Sequence, residues 1–319
     1  MATFSIGEAV GSGFALIRRE PLAVLVWGLA YFVVGVLPQI AMFALIFPDF
    51  IAMARESATS GSTDAATPAQ LQQLLGMQAK MMLMQLVQFA TSILAAVLLY
   101  GAVLRAVLEP ENRAFWYLRV GPQEGWLAAV LAVGVVLLMM AAFVVMIPFM
   151  IVGVLLGLAG ANTSPVEWLA FALFAIGGMG VFWWAALRLS LSMPMTFAER
   201  KFMLFESWPL TKGHAWPMFL TSLALVGLIL MIEVVLAIVF VMVAVAAVLG
   251  MGVDLQALEA PDKLFANPPE NWLTIAVIVG VAVFGAGSFL TAALHAIMLA
   301  PYATIYRRLA SPALTAPGT

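Results

Sequence analysis

Six apolar runs, each long enough to cross a bilayer, constrain this chain more than any other feature. They are Leu22–Phe47, Met81–Leu104, Trp126–Gly160, Val166–Leu187, Ala215–Gly250 and Trp272–Ala300. A spanning helix needs about 20 mostly apolar residues to cover roughly 30 Å of hydrocarbon. In lipid every backbone polar group must pair internally, and no run shows the alternation of a barrel strand. The expected fold is therefore all-α: a polytopic transmembrane helical bundle of six spans. Composition agrees, with 64% hydrophobic and 9% charged residues where soluble domains carry about 25% charged. A soluble enzyme and a disordered chain are excluded. Fourteen Lys and Arg against 16 Asp and Glu leave no polycation for nucleic acid, and the chain has no cysteine for a disulfide or thiolate site.

Trp126–Gly160 and Ala215–Gly250 are too long for one perpendicular crossing and slightly too short for two crossings plus a turn. Each reads as one long helix that is tilted or kinked, with Pro148 the expected kink in the first. A re-entrant segment after Pro148 is the alternative.

Positive charge is unequal between the connections. Arg18, Arg19, Arg105, Arg113, Arg119, Arg188, Arg200, Lys201, Lys212, Arg307 and Arg308 fall on one side. Only Arg55, Lys80 and Lys263 fall on the other. The positive-inside rule then places both termini in the cytoplasm, and the even span count agrees, since it puts both on the same side. The first apolar run exceeds the h-region of a signal peptide, so it reads as an uncleaved span.

The whole chain, 1–319, reads as a single integral membrane domain. The segment Pro48–Gln70, rich in Ser, Thr and Ala, has linker composition, and neither it nor Met251–Asn271, which is acidic and proline-containing, reads as a folded domain. On the basic side, Ser5 and Glu8 fit a capping box that opens an amphipathic interfacial helix with Ile6, Val10, Phe14 and Ile17 on one face. Thr196 and Glu199 fit a second box, followed by a Phe202, Phe205 and Trp208 stripe. A weaker third copy spans Pro110 to Gly121. Arg188 lies six residues before Pro194 and His295 six before Pro301, with basic pairs six and seven residues after each proline. A three-unit internal repeat follows, at approximately 1–108, 109–190 and 191–309, with 310–319 a flexible tail.

Four residues are candidates for a functional role. Arg105, Arg188 and His295 end the second, fourth and sixth spans, where a basic ring at headgroup depth would suit anionic lipid or another phosphate-bearing ligand. Snorkelling by flanking cations accounts for the same pattern. Glu233 sits mid-span, where a charge costs at least a few kcal/mol. It reads either as an ion-coupling group or as a carboxyl hydrogen-bonded to a neighbouring helix. No H-E-x-x-H or G-x-S-x-G motif occurs, and Ser288 and His295 are too far apart along a helix for a direct nucleophile–base bond. No catalytic residue, metal site or cofactor is expected. The recurrent glycines Gly153, Gly157, Gly177, Gly178, Gly180, Gly280, Gly285 and Gly287 suit close helix packing.

The stretches Phe197-Ala198-Glu199-Arg200-Lys201, Glu206-Ser207-Trp208 and Thr211-Lys212-Gly213, with the opening Phe4-Ser5-Ile6-Gly7-Glu8-Ala9 and Arg18-Arg19-Glu20-Pro21, resemble uncharacterised bacterial inner-membrane proteins. Those are distantly similar to the membrane domain attached to some glycerophosphodiester phosphodiesterases. The resemblance implies a six-span bundle in a bacterial inner membrane and carries over no activity, because the reaction belongs to a soluble domain with a His-Arg-Gly motif that this chain lacks. The expected function is a non-enzymatic membrane protein that binds or organises anionic phospholipid or assists a membrane-protein partner. The alternative is a proton- or ion-coupled small-solute transporter using Glu233.

Overall fold

The computed structural model describes residues 4–59, 68–159, 164–250 and 272–315. All regular structure among them is helical, and six helices are long and apolar enough to cross a membrane. This is a multi-pass membrane protein. The spans cover Pro21–Ala52, Leu74–Leu108, Ala114–Leu155, Pro165–Glu199, Ala215–Val243 and Gly280–Ala310, close to the six apolar runs.

A short helix, α1 (Ile6–Arg19), precedes the first span. The first span itself is α2 (Pro21–Tyr31), a π-helical turn (Phe32–Val36) and α3 (Leu37–Thr59) in continuous sequence. The π turn has a local cause. Pro38 has no N–H to give to the preceding turn and its ring crowds the carbonyl there, and one wider turn accommodates both. The second span is α4 (Pro68–Leu108). The third is α5 (Pro122–Ala159), which runs through Pro148 as one helix, so the re-entrant alternative is not the fold. The fourth is α6 (Pro165–Leu189), opened by a capping box in which Ser164 accepts from the Glu167 amide and Glu167 accepts from the Ser164 amide. Then come α7 (Ser192–Glu199) and α8 (Ser207–Thr211). The fifth span is α9 (Ala215–Gly250), also a single helix, and the sixth is α10 (Trp272–Thr315). That helix carries on through most of the expected tail.

Three expectations about the connections are revised. Residues 48–70 are not one linker, because α3 continues to Thr59 and α4 begins at Pro68. Helix-forming Ala, Met, Arg and Glu carry α3 onward, and Lys80 bonds Asp49 at 2.5 Å. Met251–Asn271 lies outside the described residues. The Thr196–Glu199 pair does not start a helix. Thr196 is buried and clamps the backbone of Met203, donating to its carbonyl at 3.2 Å and accepting from its amide at 3.1 Å, while Arg200 takes a left-handed conformation that ends α7. Segment 110–121 is not an amphipathic helix but contains one tight turn, Ala114–Tyr117, whose backbone is left-handed at Phe115 and Trp116. We expect Thr196→Val to lower stability by about 1–3 kcal/mol, since two backbone groups lose their partner. A thermal melt in detergent checks this.

By its contacts the chain divides into two compact units, one of Met1–Arg19, Tyr100–Leu225 and Ala296–Thr319, the other of Glu20–Leu99 and Val226–His295. In the first, the core gathers at the basic ends of the spans around Ala9, Leu187, Leu191, Met218, Ile305 and Leu309. Helix α1 buries Ala9, Gly13 and Leu16, while Phe14 points outward. The face of α1 that packs on the protein is therefore that of Ala9, Gly13 and Leu16, whereas Ile6, Val10 and Ile17 are half-buried. In the same unit α5 and α6 pair, with Phe149 stacked on Phe171 at 4.4 Å. In the second unit α2 meets α10 where Gly28 faces Phe289, and Gln39 donates to Thr91 at 2.8 Å.

Candidate functional site: the basic span ends

Helix α4 ends on carbonyls that its own backbone cannot satisfy. Two arginines from other elements close it: Arg19 donates to the Ala106 carbonyl at 2.9 Å and Arg307 to the Val107 carbonyl at 3.2 Å. Cations also suit the negative end of a helix. Glu8 pairs with Arg308, and Tyr306 donates to Glu199 at 3.4 Å. These bonds gather α1, the end of α4, α7 and the end of α10 in one polar layer.

Arg105 lies inside this layer, only 2% exposed, and pairs with Glu124 of α5, only 5% exposed. Its other terminal nitrogen donates to the Tyr117 carbonyl at 2.5 Å, and the guanidinium sits 5.3 Å over the Phe197 ring. Gln123 adds a brace, donating to the Phe197 carbonyl at 3.3 Å. A close approach makes the pair possible: a Cβ on Gly101 would lie 3.1 Å from the Glu124 carboxylate. Residues Phe115, Trp116 and Tyr117 all have positive φ, of 52, 52 and 67°. Left-handed backbone costs roughly 1–2 kcal/mol per residue. Tyr117 anchors the turn through its buried ring, its hydroxyl bond to the Pro110 carbonyl at 3.2 Å and its own carbonyl on Arg105. Phe115 and Trp116 are left exposed at 77% and 50%.

Arg188 is held differently. It donates from one terminal nitrogen to Thr211 at 3.1 Å and to the Trp208 carbonyl at 3.4 Å. The guanidinium lies 5.5 Å from the Trp184 ring centre and 5.7 Å from that of Trp208. Ser207 donates to the Arg188 carbonyl at 2.7 Å, tying α8 to the end of α6. Its Nε is buried without a hydrogen-bond acceptor, and no carboxylate lies within ion-pair distance of it among the described residues. Lys212 follows Thr211 and is exposed.

Arg105 and Arg188 thus share no partner. His295 belongs to the second unit, where its Nδ1 lies 2.7 Å from the Thr291 carbonyl and its ring meets Tyr31 at 6.2 Å. Glu233 lies on an exposed face of α9. Among the described residues no cluster of His, Asp and Glu could hold a metal.

Sequence reasoning missed the partners of both arginines. Glu124 carries a readable signal as an acid in the first turn of a helix, where the positive helix end favours it. Tyr117, Phe197, Trp208 and Thr211 carry none, because their roles depend on how connecting segments fold. No family model, curated protein or solved structure matches the chain.

Proposed function

We propose that the chain is a non-enzymatic integral membrane protein that binds anionic phospholipid headgroups at its basic span ends, with Arg188 the central contact. In this reading it sits in a bacterial inner membrane with both termini in the cytoplasm. The carrying observation is that Arg188 is fixed only by neutral groups while its charge and its Nε remain unsatisfied. Arginine binds phosphate oxygens bidentately, and a guanidinium already oriented by two indoles and a threonine loses little freedom on binding. Arg105 differs in its charge, which Glu124 already neutralises, although its Nε also lacks an acceptor. Its role in this reading is to hold the layer together.

The surroundings support a headgroup rather than a free anion. Phe115, Trp116, Phe205, Trp208 and Trp216 are exposed on the basic connections or the span ends beside them, with Arg113, Arg119, Arg200 and Lys212 among them. Aromatic and basic side chains together are the composition of a membrane interface. The resemblance of 4–9, 18–21, 197–201, 206–208 and 211–213 to bacterial inner-membrane proteins, themselves distantly similar to phosphodiesterase-attached membrane domains, points the same way by analogy.

The test is native mass spectrometry after mild extraction and reloading with phosphatidylglycerol or phosphatidylcholine. Wild type should retain phosphatidylglycerol preferentially. Arg188→Gln should lower that retention about tenfold, the loss of one charge-assisted bond pair. Equal retention of both lipids, or retention unchanged in Arg188→Gln, overturns the reading.

A further inference from the structure

We infer that α9 is a self-association helix, and that two copies of this chain meet along its Val226–Leu230–Glu233–Ala237–Phe240 seam with the two Glu233 side chains facing each other. Between Ser222 and Gly250 every other residue of α9 is apolar. Glu233 stands near the centre of this 36-residue helix. It forms no hydrogen bond or ion pair with any described residue, and it is exposed. The outer surface of a spanning helix faces hydrocarbon, where an unpartnered carboxyl is expensive and almost always meets another polar group.

The residues beside it form a defined face. Val226, Leu230, Glu233, Ala237 and Phe240 recur at alternating steps of four and three, and all five are exposed. Alternating steps of this kind are the seam of two helices crossing at a shallow left-handed angle. The small side chain of Ala237, one turn beyond Glu233, permits the close approach that side-chain hydrogen bonding requires.

The occupant follows from the chemistry of the carboxyl. A carboxylic acid carries both a donor and an acceptor, so two such groups complement each other. A two-fold axis along the membrane normal sets each residue near the axis opposite itself. Any other protein would need a polar group at this depth by coincidence. A second copy has one there by construction. This inference rests on a different helix from the lipid reading and stands or falls separately.

The chain has no cysteine, so single cysteines report proximity cleanly. Ala237→Cys and Val235→Cys, the latter on the opposite and equally exposed face of α9, are oxidised in membranes with copper phenanthroline. We expect Ala237→Cys to yield a dimer at least about fivefold more efficiently than Val235→Cys. Adding Glu233→Leu to Ala237→Cys should lower that yield about fivefold, whereas Glu233→Gln, which keeps a donor and an acceptor, should preserve it. Size exclusion confirms that the variants remain folded. Equal yields at 235 and 237, no dimer at 237, an effect of Glu233→Gln as large as that of Glu233→Leu, or capture at 237 of a different protein overturns the inference.

Discussion

Glu124→Gln should destabilise the protein by about 3–5 kcal/mol, one of the two largest effects expected here, because it leaves the Arg105 charge buried without a counter-ion. The side chain keeps its size, so packing against Gly101 is unchanged and the loss is electrostatic. The consequence spreads, since Arg105 also holds the Tyr117 carbonyl and so a left-handed turn that is unfavourable by itself. The measurement is the melting midpoint of purified protein in detergent, read by loss of monodisperse species. An informative companion is Arg105→Met with Glu124→Leu. Replacing a buried ion pair by apolar groups of similar volume is often neutral or stabilising, so the double variant should recover most of the lost stability. A double variant as unstable as Glu124→Gln would show that the bond to the Tyr117 carbonyl, not the ion pair, is what the layer depends on.

The second large effect separates two glycines of one helix. In Gly13→Ala the new methyl would lie 2.5 Å from the Ile297 Cα and 3.0 Å from the Ala296 carbonyl oxygen. Both are backbone atoms, so α1 and α10 must move apart, at about 1–3 kcal/mol for overpacking. Gly11→Ala meets nothing within 4 Å and should stabilise the helix by about 0.5–1 kcal/mol, the usual gain over glycine. Gly28→Ala belongs with Gly13, since its Cβ would come within 2.6 Å of the Phe289 Cα. Thermal midpoints of the three variants should therefore fall, rise and fall. Equal shifts for Gly11→Ala and Gly13→Ala would mean that α1 does not pack on α10 through this face.

These glycines show where reading the sequence stops. Gly13 and Gly28 make the tightest backbone approaches; Gly13 has the small residue Ala9 one turn before it, but Gly28 belongs to no such pair. The spaced pair Gly153 and Gly157 contacts little: a Cβ on the first would sit 3.6 Å from Phe171 and on the second would meet nothing. Among the clustered glycines of the fourth span only Gly178 is crowded, by Val145. Whether a glycine is needed depends on what lies across from it, and its own helix does not hold that information. The same limit applied to the connections. Thr196-x-x-Glu199 has the spacing of a capping box, but a buried Thr196 finds a better partner in Met203 than in a helix end. Ser164-Pro165-Val166-Glu167 has that spacing and forms the box, because its segment opens a span with nothing competing for the serine.

The sequence alone determined that six helices cross a membrane and roughly where each begins and ends, while the structure decided between a single helix and a re-entrant segment in the long third run. Hydrophobic length and the internal pairing of backbone amides in lipid settle those points locally, before any tertiary contact forms. Tertiary structure alone decided which charges are already neutralised. Arg105 and Arg188 occupy matching positions at the ends of two spans, but one meets Glu124 across a glycine while the other meets two indoles and a threonine. Desolvation and charge pairing are properties of what a folded chain brings within a few ångströms, and the residue's place along its own helix does not fix them.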